Sequence, residues 1–89
     1  MIGFLGYSLA GHDKGKVYVI LQENEKNVWL SDGAIRPIDK LKKKSKKHIQ
    51  IIKNCEYNSL RDCIGQGLVT NEMIKRTIKL YCKGIKEVK

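Results

Sequence analysis

Lys16–Gln22, Lys-Val-Tyr-Val-Ile-Leu-Gln, constrains this chain more than any other stretch. Its β-branched and aromatic residues suit an extended backbone, on whose pleated surface such side chains pack well. Alternate residues of a strand face opposite ways, so Val17, Val19 and Leu21 share one face while Tyr18 and Ile20 share the other. Both faces are apolar. A strand wet on one side would alternate apolar with polar, so the rest of the chain must cover both faces of this one.

The first half can supply one layer. Phe4–Ala10 reads as a strand, and Gly11-His12-Asp13-Lys14-Gly15 as a polar turn whose two glycines can take positive φ. Glu23–Lys26 is a charged turn, followed by a third strand, Asn27–Ser31. Asp32-Gly33 suits a tight hairpin, so Ala34–Ile38 is expected to run back beside Val28, Trp29 and Leu30, with Pro37 confining it to an edge. Lys40–Lys47 is too basic to be core and should hang outside one rim, while His48–Ile52 resumes a strand that could close a small barrel.

The last third supplies the other layer, because its period changes from 2 to the helical value. Ser59 could cap a short helix carrying Leu60, Cys63 and Ile64, with Gly65 and Gly67 ending it. Thr70 is a good cap for a second helix, Glu72 favours its dipole, and Val69 can pack on Ile74. Met73, Ile74, Thr77, Ile78, Tyr81, Cys82 and Ile85 form an apolar stripe with Lys75, Arg76, Lys79, Lys83 and Lys86 largely off it. The expected fold is mainly β with C-terminal helices: a small barrel over residues 1–54, covered by one short and one longer α-helix from residues 55–89. With 89 residues, this is a single domain.

Eighteen Lys and Arg against nine Asp and Glu leave a net charge of +9, so a polyanion is the natural partner. Cys55, Cys63 and Cys82 form no C-x-x-C pair and, with His12 and His48, match no metal-ligand spacing; reduced thiols in a cytoplasm are the simplest reading. The apolar Met1–Tyr7 has no basic residues before it and makes a poor signal peptide, and no run approaches the length of a membrane helix. No constellation of nucleophile, base and orienting group stands out, so no catalytic residue, metal or cofactor is expected. Gly11 and Gly15 lack the spacing of a phosphate-binding loop of the nucleotide type.

The basic loop and the lysine run instead suit pairing of ammonium groups with phosphates. Trp29, Tyr18 and Tyr7 could stack on unpaired bases or be buried under the helices. Changing Lys42, Lys43, Lys44, Lys46 and Lys47 to Gln should weaken such binding and leave the melting temperature nearly unchanged.

Tyr7–Ile20, Tyr-Ser-Leu-Ala-Gly-His-Asp-Lys-Gly-Lys-Val-Tyr-Val-Ile, resembles a KOW motif. Such motifs occur in several large-subunit ribosomal proteins and in transcription elongation factors, where they form SH3-like barrels that contact RNA or protein. The resemblance continues through Val28–Gly33, Arg36-Pro37 and Lys46–Ile49, is similar to compact KOW proteins of the archaeal and eukaryotic ribosome, and is closer to bacterial stand-alone KOW proteins. It covers the first 52 residues and only loosely the tail.

By that resemblance, the loop with His12, Lys14, Gly15 and Lys16 lies against RNA, beside Arg36, Lys40, Lys42, Lys43, Lys44, Lys46, Lys47 and His48. Asp13 reads as a turn former, and His12 stands where arginine is expected. The implied protein is a non-catalytic, cytoplasmic module, monomeric when free and without a membrane partner. It binds structured RNA, ribosomal RNA or the ribosome; the alternative is a protein-docking KOW module acting in transcription or translation.

Overall fold

A computed structural model describes the backbone of residues 2–52 and 58–87 and the side chains of residues 2–52 and 62–82. The strands are β1 (Leu5–Ser8), β2 (Val17–Glu23), β3 (Asn27–Ser31), β4 (Lys42–Ser45) and β5 (Ile49–Ile52), with one 3₁₀ turn, Lys46–His48, between β4 and β5. Two helices follow, α1 (Asn58–Gly65) and α2 (Asn71–Glu87). All strand pairs are antiparallel, in the order β4-β3-β2-β1-β5.

The sheet stays open: among the described residues no ladder joins β4 to β5, so the expected barrel closure is not observed. It must nevertheless curl. In a flat sheet these outer strands would lie about 19 Å apart, whereas the four peptide steps from Ser45 to Ile49 reach about 14 Å at most. Packing agrees, for Ile49 shares one buried cluster with Tyr18, Ile20, Val28 and Leu30 on the concave face. On the convex face Leu5, Val19 and Ile74 form a second cluster, flanked by Val17, Leu21, Ile38, Ile52, Ile64, Val69, Met73, Ile78 and Tyr81. Strand β2 is thus covered on both sides, by the curled sheet within and by the helices without.

Local chemistry sets the ends of the elements. The β2–β3 turn is held by Asn24, whose Oδ1 accepts from the backbone N–H of Lys26 and Asn27. Helix α1 closes in a Schellman motif, with Leu68 N–H on the Cys63 carbonyl and Gly67 N–H on that of Ile64. Thr70 caps α2 through Oγ1, which accepts from Met73 N–H at 3.3 Å, and Glu72 lies in the first turn. Lys75, Arg76 and Lys79 are exposed on α2, as its stripe implies. Helix α1 begins at Asn58, so Ser59 lies within its first turn and is not the expected cap; the packing of Leu60 and Ile85 lies outside the described side chains, as does all of Cys55.

Two expectations are corrected. Ala34–Ile38 does not pair with β3. The Asp32 carboxylate accepts from the N–H groups of Ala34 and Arg36, and the Arg36 carbonyl accepts from Ser31 Oγ and Asp32 N–H. Donors that a ladder would need are therefore used within the loop. The vacant edge of β3 is taken by the lysine run, with Asn27, Val28, Trp29 and Leu30 opposite Ser45, Lys44, Lys43 and Lys42. Residues expected outside the rim are themselves an edge strand, a place that suits lysine because charge discourages further strand addition.

Candidate nucleic-acid interface

Strand alternation divides the lysines of β4 between two environments. Lys42 and Lys44 stand opposite Leu30 and Val28, both concave-face residues, while Lys43 stands opposite Trp29 and points the other way. Lys44 is nearly buried, its side chain 10% exposed.

Its charge is tolerated there because Asp13 meets it. The Lys44 ammonium donates to Asp13 Oδ1 at 2.6 Å and to the Ala10 carbonyl at 2.8 Å. Ser8 Oγ donates to the same carboxylate oxygen at 3.0 Å, and Tyr18 donates its phenol proton to Oδ2 at 3.0 Å. Lys42 lies 3.8 Å from Oδ2.

Burial alone would push the Asp13 carboxyl up. Hydrogen bonds from Lys44, Tyr18 and Ser8, with the Lys44 charge, outweigh it and hold the group well below the usual carboxylate range. Tyr18 is pushed above the ordinary phenol value by its burial and by the hydrogen bond to Asp13. A turn former by its sequence, Asp13 is also the hub of the cluster.

This cluster joins the loop to the lysine strand. Gly11 and Gly15 both take positive φ, letting the loop double back so that Gly15 N–H reaches the Ser8 carbonyl. The outer loop residues His12, Lys14 and Lys16 are exposed. Lys16 lies 3.9 Å from Asp32, a weak contact for a side chain about half exposed. Arg36 and Lys40 are exposed along the segment leading to β4.

Beyond β4, Lys46 pairs with Glu23 at 3.2 Å, and its N–H donates to the Lys26 carbonyl, which draws it towards the β2–β3 turn. Lys47 and His48 are exposed on the 3₁₀ turn. The predicted residues thus divide by their partners. Lys42, Lys44 and Lys46, and weakly Lys16, face carboxylates of this chain; among the described residues the side chains of Lys14, Arg36, Lys40 and Lys47 make no ion pair.

Ser8 goes unnoticed in the sequence, and Tyr18 reads there as a stacking or core residue and not as a partner of Asp13. The one available signal was the strand pattern, which puts Tyr18 on an otherwise apolar face where a buried phenol needs an acceptor. The aromatics also separate: Tyr18 is 2% exposed, Tyr7 is 40% exposed, and Trp29 is partly buried with Lys43 Nζ 5.8 Å from its ring centroid.

One cavity of about 240 Å³ opens among Val28, Ile49 and Ile51, with the Glu23–Lys46 pair alongside. It falls below the volume usual for sites of drug-sized ligands. Among the described residues no three His, Cys, Asp or Glu side chains gather as a metal would require, Cys63 and Cys82 are free thiols, and no helix is long and apolar enough to cross a membrane. Compared with known families and with curated proteins, the sequence matches no family model and no curated protein.

Proposed function

We propose that this chain is a non-catalytic RNA-binding module, an SH3-like barrel of the KOW type that binds structured RNA of the ribosome, or the ribosome itself, in the cytoplasm. The curled sheet supports the fold reading: its edge strands are consecutive in sequence, and only the β4–β5 ladder is lacking from a closed ring.

The observation that carries the functional reading is the bond from Lys44 to Ala10 and Asp13, which fastens the glycine-flanked loop to the lysine strand. Cations on both are thereby held in fixed relation, and a rigid array meets phosphates at a lower ordering cost than a free tail would. In this reading His12, Lys14, Lys16, Arg36, Lys40, Lys43, Lys47 and His48 contact RNA, and Gly15 lets its backbone approach. Lys42 and Lys44 hold the surface together, and Lys46 is engaged with Glu23.

The test is affinity for ribosomal RNA and co-sedimentation with ribosomes across a salt series. The logarithm of the binding constant should fall linearly with the logarithm of salt concentration, by roughly 0.7–0.9 per phosphate contact. A flat response, or no binding at low salt, would sink the proposal. A second reading, docking on a protein, is favoured by Ile35, which is 76% exposed beside Arg36. A pull-down that survives ribonuclease and is lost in Ile35→Ser would support it.

A further inference from the structure

Trp29 is the single tryptophan of the chain, and it takes part in neither buried cluster. It lies on the face of β3 opposite the concave core residues Val28 and Leu30, between Gln22 of β2 and Lys43 of β4. Both flanking residues are exposed. A large ring left partly open beside an exposed cation and a neutral amide has the makings of a stacking platform.

We infer that Trp29 holds one unpaired nucleotide of a bound RNA, its ring stacked on the base and Lys43 on the adjoining phosphate. This deepens the RNA reading and rests on it. Every base has a π-face, so stacking needs no particular sequence. Lys43 is exposed and its ammonium lies 5.8 Å from the ring centroid, a contact weak enough for a base to displace, and the freed ammonium can then meet the phosphate. Gln22 offers both a donor and an acceptor to a base edge.

Tyr18 cannot serve in this way, because it is buried and its hydroxyl is committed to Asp13. Duplex RNA presents no free base face, so the platform selects loops, bulges or single strands. The +9 charge favours a nucleotide over a neutral apolar partner.

Because Trp29 is unique, tryptophan emission reports on this site alone. The full-length protein is titrated with a labelled single-stranded oligouridylate and, in parallel, with duplex RNA. Anisotropy of the label gives total binding, and emission gives the stack. The single strand should quench the emission, and Trp29→Ala should weaken its binding by about tenfold, the worth of one stacked base. Trp29→Phe should restore most of that loss, and duplex binding should be insensitive to either change.

Single-strand binding without quenching, or with equal affinity in Trp29→Ala, would overturn the platform and leave the RNA reading standing. No anisotropy change with either RNA would overturn both. Emission that shifts to the blue with protein concentration alone would place a second copy on the ring and overturn the nucleotide. If Trp29→Ala fails to fold by circular dichroism, quenching of the unaltered protein and the affinity of Trp29→Phe decide the matter.

Discussion

Asp13 and Lys44 lie 31 positions apart and meet at 2.6 Å with little exposure of either side chain. Breaking such a pair from one side leaves the other charge buried and uncompensated. Asp13→Asn should therefore cost roughly 3 kcal/mol, and Lys44→Gln about 2 kcal/mol because its amide can still donate to Ala10. Together they should cost less than their sum by about 1 kcal/mol, measured by urea denaturation as a double-mutant cycle.

The pH dependence has two limbs. The folded-state pKa of Asp13 is depressed, so its contribution is present above the unfolded carboxylate value near 4 and is lost as pH falls below it. That of Tyr18 is raised, so its contribution is present below the unfolded phenol value near 10 and is lost as pH rises through and beyond it. Melting temperatures across pH should fall at both ends, and Asp13→Asn should flatten the acid limb. Substituting the whole lysine run with Gln, harmless by sequence reasoning, should be destabilising because it includes Lys44, whose ammonium holds Asp13 and Ala10.

At the scale of elements, the loop between β3 and β4 decides where the lysines go. Asp32 and Ser31 close it by hydrogen bonds, and the start of α2 rests on it, with Ile38 N–H donating to Asn71 Oδ1 at 2.8 Å. Gly33 takes φ +75°, and a side chain there would run into the Asn71 carbonyl and Lys75. Gly33→Ala should therefore cost at least about 2 kcal/mol, a fall of roughly 10 °C in melting temperature by calorimetry. The D-G pair was legible as a reversal of the chain. What the reversal led to was not, since a side-chain carboxylate competes with a ladder for the same N–H groups. Strands β2 and β3 and both helices were legible, because period and glycines agreed there, and for α2 the Thr70 cap as well.

For the whole molecule, the proposed surface draws most of its charge from side chains that this protein does not neutralise itself, Lys16 with its weak contact to Asp32 apart. Lys14→Gln, Lys40→Gln and Lys47→Gln combined should leave the melting temperature within a few degrees. They should reduce the salt slope of RNA binding by roughly 0.7–0.9 for each contact removed, measured by anisotropy over a salt series. Composition carries the sign of the chain's own charge, +9, and periodicity foretold a sheet under helices, because net charge and burial pattern are additive along a chain. The division of the lysines into anchors and free cations belonged to the tertiary structure alone. It depends on which side chains the curled sheet brings within hydrogen-bond distance, and Lys44 is placed against Asp13 by the pairing of β4 with the edge of β3.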